Sequence, residues 1–336
     1  MKILLNCPVA FSLAHGGAQV QIEQTQDALK HNGVDAEPLR WWDAGQRGDI
    51  IHNFGRMPAE HIKLAQQKNI KVIIAELLTA QGSRSPSQLR LQKAISRTVE
   101  RFAPRSFTTA FNWDSYRIAD AFIALTPWEA HLMNYLFDAP KERVHVVANG
   151  IEEIFLNTPP AGREKWLVCT TTITERKRVL ELAEAAVSAQ TPVWIIGKAY
   201  AEADPYAQKF FALARQHPQI LRYEGAIPDR ARLARIYRAA RGFVLLSAME
   251  SLSLSALEAG ACECPLLLSD LPWARTTFAN TASYCPLTTS VEVTANALRK
   301  FYDAAPSLPV PPKPPTWNEI GRQLKTIYER VLSANR

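Results

Sequence analysis

Short apolar runs alternate along the chain with longer stretches in which apolar residues recur every three or four positions. The first pattern is typical of buried parallel strands, and the second of helices that cover a sheet. The apolar runs predict strands at Lys2–Cys7, Asp49–Asn53, Lys71–Leu78, Ala121–Leu125, Val144–Val147, Trp166–Thr171, Val193–Ile196, Arg222–Glu224, Phe243–Leu246 and Leu266–Leu268. The stretches between them predict helices at Ala18–Asn32, Pro58–Lys68, Val179–Ala189, Tyr206–Gln216, Arg230–Ala240 and Trp317–Leu332. Such alternation predicts an α/β protein with parallel sheets.

The alternation restarts once, which predicts two domains. A length of 336 residues also exceeds that of most single domains. Asn149-Gly150 predicts a turn, and Asn157–Glu164, with two prolines and a glycine, reads as a linker. We therefore predict two Rossmann-like doubly wound domains, residues 1–157 and 158–310, facing across a cleft at the carboxyl ends of their strands. Residues 311–336 would form a helix that packs back toward the N-terminal domain, after a proline-rich connector.

Composition narrows the class of protein only modestly. Thirty-nine basic and 32 acidic residues give a net charge of +7, which is too mild for a nucleic-acid footprint but suits an anionic small ligand. The five cysteines are mostly far apart and lack a histidine cluster, which favours a reducing, cytoplasmic compartment over disulfides or zinc. No stretch reaches 18 apolar residues, so we expect no membrane-spanning helix.

The segment from Phe243 to Asp270 carries the most specific chemical pattern. An apolar strand ends at Ser247, and a loop with Glu250 leads to a helix that opens near Ser253–Ser255, with Glu258 expected in its first turn. Unpaired amides at a helix start, together with the helix dipole, favour a bound anion. Two simpler interpretations stay open: Glu258 closing a capping box with Ser255, and Glu250 as a solvated loop residue.

Glu250-x7-Glu258, followed by Pro265, resembles the signature of the retaining glycosyltransferases of family 4, which have the two-domain GT-B fold. The likeness is specific over residues 165–285 and looser over residues 40–120. Other landmarks follow the family's order: Gly16-Gly17-Ala18-Gln19, Asp49-Ile50-Ile51-His52, Ala119-Asp120 with the strand after it, Asn149-Gly150-Ile151, Lys177-Arg178, Tyr237-Arg238-Ala239-Ala240 and the final helix.

The resemblance implies a donor site in residues 158–310 and an acceptor side in residues 1–157. Glu250 would hold hydroxyls of the transferring sugar, Lys177 would neutralise the departing diphosphate, and Glu258 would accept hydrogen bonds from the ribose. Lys177 as an ordinary surface lysine is the simpler alternative. The remaining implied donor contacts are Ser251, Leu252, Ser253 and Leu254 through their amides, Thr172, Arg176, Ile227 beside the base, Gly16 and Gly17.

The implied activity is sugar transfer, with retained configuration, from a nucleotide-diphosphate sugar to a hydroxyl of a glycan, a lipid-linked acceptor or a small molecule. A fixed cation and a helix N-terminus can stabilise the leaving diphosphate. We therefore expect neither a metal nor a cofactor. Gly16-Gly17 is not a G-x-G-x-x-G motif, which disfavours a nicotinamide enzyme. The paired glutamates disfavour a nucleotide-sugar epimerase on the same architecture.

Several positions depart from the family pattern. Thr171 and Thr172 stand where Gly-Arg is common, so the second cation of the family is either missing or supplied by Arg176. Ser251 and Glu263 replace usual glycines, and Ala75–Gln81 lacks the histidine usually found near the reacting sugar. His15, beside Gly16-Gly17, is a weak substitute on the acceptor side, and Trp41, Trp42 and Trp113 serve either an acceptor or the core. The alternative function is a GT-B binding or scaffold protein without catalysis.

Basic residues recur every three or four positions between Arg90 and Arg105, which predicts one basic stripe on a helix. Its members are Arg90, Lys93, Arg97, Arg101 and Arg105, and Leu91, Ile95, Val99 and Phe102 fall on another side. A solvated face explains the stripe most simply. The sharper hypothesis is contact with an anionic acceptor or membrane, which would place the protein peripherally on the inner membrane face.

Overall fold

The computed structural model describes residues 1–8, 11, 16–102 and 111–334. The chain forms two compact units: unit 1 contains Met1–Gly150 and Trp317–Arg336, and unit 2 contains Ile151–Thr316. The division therefore lies after Gly150 rather than after residue 157. Residues 151–157 belong to unit 2 because Phe155 is fully buried there, and its carbonyl oxygen lies 3.3 Å from the Sγ of Cys262.

Unit 1 is built on a parallel sheet with the strand order β2-β1-β3-β4-β5-β6. Its strands are β1 (Lys2–Asn6), β2 (Asp35–Pro38), β3 (Ile50–Asn53), β4 (Lys71–Ile74), β5 (Ala121–Ala124) and β6 (Val144–Val146). Its helices are α1 (Gly17–His31), α2 (Ala59–Gln67), α3 (Thr79–Gly82), α4 (Pro86–Phe102), α5 (Ser115–Ile118), α6 (Pro127–Phe137) and the C-terminal α14 (Trp317–Ser333).

The C-terminal helix packs on α1, as predicted. Gly321 allows the close approach, since a Cβ built on it would lie 2.6 Å from the carbonyl oxygen of Ala28. Lys325 donates to the carbonyl oxygen of Asn32 at 3.0 Å. Tyr328 places its hydroxyl 2.5 Å from Nδ1 of His52, a buried residue of β3. Backbone fit and buried polar contacts thus hold the last helix to unit 1.

Unit 2 is built on a second parallel sheet, with the order β12-β11-β10-β7-β8-β9. Its strands are β7 (Leu167–Thr170), β8 (Val193–Ile196), β9 (Leu221–Tyr223), β10 (Gly242–Leu245), β11 (Leu266–Ser269) and β12 (Ala282–Cys285). Its helices are α7 (Glu153–Leu156), α8 (Val179–Ser188), α9 (Pro205–Gln216), α10 (Arg230–Ala239), α11 (Leu254–Ala261), α12 (Pro272–Phe278) and α13 (Val291–Ala304).

The order of the second sheet is the Rossmann order, in which the chain works outward from the centre in both directions. The first strand of the unit, β7, pairs with β10. Successive strands are added on one side of this pair from β7 to β9 and on the other side from β10 to β12, so the pair marks the switch point. In open α/β sheets, ligands bind outside the carboxyl ends of the strands at this switch point. The loops that follow β7 and β10 are therefore where a site in unit 2 is expected.

Candidate active site

The loops after β7 and β10 bring Lys177 and Glu250 together. Lys177 Nζ donates a hydrogen bond to Glu250 Oε1, and both side chains are largely buried. Arg176 Nη1 lies 3.6 Å from the same carboxylate oxygen. The loops are also joined by their backbones, because the Ala248 amide donates to the carbonyl oxygen of Arg176 at 2.8 Å. One carboxylate and two cations from loops 73 residues apart thus meet at the switch point of unit 2.

The helix after β10 begins with Ser253 as its N-cap. Ser253 Oγ accepts from the amide of Ala256 at 3.3 Å, and α11 starts at Leu254. Glu258 is therefore the fifth residue of the helix and not in its first turn. The capping-box interpretation of Ser255 and Glu258 is wrong, because the cap is two residues earlier and the Glu258 carboxylate has other partners.

Glu258 is buried and held by Arg230. Arg230 Nη2 donates to Glu258 Oε1, while Arg230 Nε donates to Glu152 Oε1 at 2.7 Å. The Tyr237 hydroxyl lies 3.4 Å from Glu258 Oε2. Burial raises the pKa of Glu258, and the positive charge of Arg230 opposes that rise. Arg230 thus stabilises the ionised carboxylate that its buried position disfavours.

The other predicted donor residues differ in how far they are buried. Ser251, Leu252 and Ser253 are buried, and Leu254 is half-buried at the start of α11. Thr172 is half-buried in the loop after β7. Ile227 is buried beyond β9, two residues after Gly225, whose φ of +78° favours glycine.

Three buried hydroxyls near the switch point escaped the sequence reasoning. Thr171 Oγ1 and Thr174 Oγ1 follow β7, and Ser247 Oγ follows β10; none has a hydrogen-bond partner among the described residues. Buried polar atoms without partners are uncommon and call for an explanation. The only sequence signal is that Thr171, Thr174 and Ser247 lie within four residues after the ends of apolar strands.

Gly197 is a further residue that the sequence reasoning missed. It follows β8 with a φ of +153°, and a Cβ built on it would lie only 1.7 Å from the carbonyl oxygen of Thr171. Only glycine permits this contact between the loops after β7 and β8. Gly197 therefore fixes the loop that carries Thr171.

In unit 1, the segment after β4 holds a glutamate that is already engaged. Glu76 Oε2 accepts from Arg56 Nε at 2.9 Å and from the Tyr116 hydroxyl. Gly16 is the N-cap of α1 with a φ of +141°, which requires glycine, and Gly17 is the exposed first residue of α1. The predicted acceptor-side residue His15 lies outside the described residues.

The tryptophans proposed for an acceptor site differ in burial. Trp41 and Trp42 are exposed, so core packing does not explain them. Trp113 is half-buried, and its ring stacks on Phe111 with centroids 4.9 Å apart.

In the described ranges, no helix is long and apolar enough to cross a bilayer. Within the same ranges, no group of three or more His, Cys, Asp or Glu side chains is arranged to hold a metal ion.

The part of the chain that contains these ion pairs matches a known family. Residues 150–310 match the family model described as glycosyl transferases group 1. The match covers almost all of unit 2 and slightly less than half of the chain. No curated protein matches the chain.

Solved structures of glycosyltransferases share the fold of the whole chain. Sucrose-phosphate synthase from Thermosynechococcus elongatus has a TM-score of 0.68 at 17% identity, covering 99% of this chain and 100% of that one. A glycosyltransferase from Rickettsia africae gives 0.64 at 12%, covering 99% and 98%. HepE from Anabaena, solved with UDP and glucose, gives 0.64 at 14%, covering 98% of each chain. The predicted fold class, two Rossmann-like α/β domains, is confirmed.

Proposed function

We propose that this chain is a retaining glycosyltransferase of family 4 that transfers a sugar from a nucleotide-diphosphate sugar to a hydroxyl acceptor. The observation that carries the proposal is the Lys177–Glu250 ion pair at the switch point of unit 2. It lies within the residues that match the glycosyltransferase family. A cation and a carboxylate at this point suit a ligand that has both a diphosphate and sugar hydroxyls.

In the proposed complex, the diphosphate lies against Lys177 and the start of α11. Lys177 leaves Glu250 for the phosphate oxygens, and Arg176 supplies a second positive charge. The amides of Ser251 to Leu254 donate to the sugar and phosphate. The buried hydroxyls of Thr171, Thr174 and Ser247 gain acceptors or donors on the ligand. These groups stabilise the charge that develops on the leaving diphosphate, and no metal is required.

The carboxylates hold the sugars of the donor. Glu250, released from Lys177, accepts hydrogen bonds from hydroxyls of the transferring sugar. Glu258, oriented by Arg230, accepts them from the ribose, and the base lies beside Ile227. The bond between the sugar and the diphosphate breaks while the acceptor hydroxyl forms a bond on the same face. The acceptor proton passes to the departing phosphate oxygen, so that the configuration is retained.

Thermal shifts with UDP, GDP and ADP and their common sugar conjugates test the donor site. UDP comes first because HepE was solved with UDP and glucose. A ligand at 100 times its Kd adds about 2.7 kcal/mol to the unfolding free energy. We expect one nucleotide to raise the Tm of the wild type and of Lys209→Ala, an exposed lysine on α9, but not of Lys177→Ala. No shift from any nucleotide, or an equal shift in Lys177→Ala, contradicts the proposed site.

Turnover of the nucleotide-sugar donor distinguishes a glycosyltransferase from a scaffold protein on the same fold. We expect slow release of free sugar from the matching donor, unchanged by EDTA, and loss of that release in Glu250→Gln while nucleotide binding persists. If the chain binds the nucleotide but does not release free sugar, or does not transfer sugar to any acceptor, a binding protein on this fold is favoured. Once an acceptor is found, NMR of the anomeric proton of the product tests retention.

We also propose that α4 docks this chain peripherally on an anionic membrane. Leu89 is its only buried residue, whereas Leu91, Ile95 and Phe102 are 62%, 54% and 75% exposed. They form an apolar stripe next to the basic stripe, in which Arg90 and Arg101 are exposed, whereas Arg97 pairs with Asp138 at 2.5 Å and Lys93 lies 3.9 Å from the ring centre of Tyr135. Arg105 lies outside the described residues. Adjacent exposed apolar and basic stripes are typical of helices that lie at a membrane surface.

Sedimentation with vesicles of phosphatidylglycerol and phosphatidylcholine tests this docking. Arg90→Glu/Arg101→Glu should reduce binding at least tenfold, and so should Leu91→Gln/Ile95→Gln, which leaves the charge unchanged. Lys209→Glu/Arg215→Glu on α9 makes the same charge change elsewhere and should bind as the wild type does. Equal loss in both charge variants would indicate attraction by net charge alone and would contradict docking through α4.

A further inference from the structure

A cavity lies on one face of the sheet of unit 2, and neither Lys177 nor Glu250 lines it. It has a volume of about 470 Å³ and is lined by residues 158–161, by β7, β8 and β9, and by α10. Val168, Trp194 and Arg222 are neighbours in register across the three strands and form its floor. We call this space the α10 cavity.

The walls of the α10 cavity are strongly basic. Its lining contains one acidic residue, Glu164, and four arginines: Arg222, Arg232, Arg235 and Arg238. The charges are only partly neutralised by their neighbours. Arg222 and Arg232 share the single carboxylate of Glu224, the latter at 2.7 Å, and Arg238 pairs with Glu263 at 2.8 Å. Arg235 makes no ion pair or hydrogen bond with any residue in the described ranges. An anion is therefore the ligand that these walls favour.

The floor of the cavity is aromatic and largely apolar. Trp194 is 5% exposed, and the Arg222 guanidinium carbon lies 3.7 Å from the centre of its ring. Its indole N–H is buried without an acceptor among the described residues. Trp166 and Ile236 extend the apolar lining. A small inorganic anion would leave this surface uncovered, whereas a neutral apolar molecule would leave the arginines without a counter-charge.

We infer that the α10 cavity binds an organic anion, with a planar apolar body against Trp166 and Ile236, beside the stacked Arg222 and Trp194, and with a carboxylate or phosphate against Arg235 and Arg232. Arginine suits both head groups because its planar fork matches their oxygens, and it also stacks on aromatic rings. This site is separate from the proposed donor site. Arg230 and Tyr237 reach Glu258 from one side of α10, whereas Arg232, Arg235 and Ile236 line the cavity from another.

The test uses the full chain labelled with ¹⁵N at its eight tryptophans. The probes are 2-naphthyl phosphate and 2-naphthoate, with 2-naphthol and inorganic phosphate as the neutral and the small-anion comparisons. Trp194→Phe identifies the Trp194 indole signal. We expect a saturable shift of that signal with one or both naphthyl anions and at least tenfold weaker effects from naphthol and phosphate. The tighter of the two naphthyl anions identifies the preferred head group.

Arginine variants locate the bound anion. Arg235→Gln should weaken binding of the naphthyl anion at least tenfold, whereas Arg215→Gln, an exposed arginine on α9, should not. Lys177→Ala should leave binding unchanged, which makes the result independent of the proposed transferase activity. The inference fails if the Trp194 signal does not move, if naphthol binds as tightly, if Arg235→Gln has no effect, or if Lys177→Ala abolishes binding.

Discussion

Arg230 holds Glu258 and Glu152 at the same time, and it lies against the ring of Phe155 with its guanidinium carbon 4.7 Å from the ring centre. The carboxylate proposed to receive the ribose is therefore oriented before any ligand arrives. One arginine at the start of α10 links α7, α10 and α11, so its loss would affect both the stability of unit 2 and the proposed nucleotide binding.

Arg230→Gln should destabilise the protein, because it leaves Glu258 buried without its counter-charge. Removing one partner of a buried ion pair costs roughly 3–5 kcal/mol, and we expect about 2 because Arg230 is one-third exposed. Urea unfolding measures the loss. Arg299→Gln, which breaks the exposed pair with Asp303, should cost at most about 0.5 kcal/mol.

The pH dependence of the Arg230→Gln effect has a defined sign. Burial raises the pKa of Glu258 in the folded protein, and the loss of Arg230 raises it further. A raised carboxylate pKa favours folding at low pH, and that advantage is lost as the pH rises through the folded pKa. The cost of Arg230→Gln should therefore be larger at pH 8 than at pH 5. An equal cost at both pH values would mean that Glu258 is not its cause.

His52 should make unit 1 sensitive to acid. Burial lowers the pKa of His52 to about 3, from 6.5. Its contribution to stability is complete above pH 6.5 and is lost as the pH falls toward 3, at about 1.4 kcal/mol per pH unit. His52→Gln should flatten the fall of unfolding free energy between pH 6 and pH 4. Tyr328→Phe keeps the buried imidazole and should retain the slope, whereas a slope that His52→Gln leaves unchanged would contradict this prediction.

Gly321→Ala should loosen the last helix. The new Cβ would lie 2.6 Å from the carbonyl oxygen of Ala28 and 2.8 Å from Nδ2 of Asn32, so α14 must shift away from α1. Overpacking of this kind costs roughly 1–3 kcal/mol. Hydrogen exchange should report faster opening of α14. Gly162→Ala, where nothing lies within 4 Å of the new Cβ, is the matched control and should exchange as the wild type does.

Ser253→Ala and Ser255→Ala test the start of α11. Ser253 accepts the Ala256 amide, so its loss should cost about 1 kcal/mol of unfolding free energy. Ser255 Oγ lies 3.1 Å from Ser253 Oγ and accepts no backbone amide among the described residues, so its replacement should cost only about 0.3 kcal/mol. A larger cost at Ser255 would restore the capping-box interpretation of Glu258. Chemical unfolding of the two variants in parallel decides the matter.

The strands that the sequence predicted best are those buried on both faces. Leu266–Leu268 and Val193–Ile196 were found within one residue of their bounds because a fully buried strand must be apolar throughout. The edge strands β2 and β12 were missed, since Asp35–Pro38 buries only Ala36 and has no apolar run. The predicted strand Lys71–Leu78 ends at Ile74; Leu78 is buried for another reason, with its amide bound to Glu129 at 3.0 Å.

The candidate site was predictable only as far as local patterns reach. The helix start after β10 and the lysine after β7 could be found because each follows an apolar strand. Arg230 could not, because its partner Glu258 lies 28 residues away and its neighbours in sequence look like a solvated helix. The same limit applies to Gly197, whose role depends on the distance of its backbone from Thr171.

The two ends of unit 2 are bound to each other. The amide of Ile151 donates to the carbonyl oxygen of Pro315 at 3.0 Å, and Ile151 bridges to Thr316. In the chain, unit 2 lies between the two parts of unit 1, so all of it is synthesised before the second part of unit 1. On the ribosome, unit 2 has its complete sequence before unit 1 does, and the surface of α1 that α14 covers stays exposed until that helix emerges. Truncation before Trp317 would leave that surface of α1 uncovered.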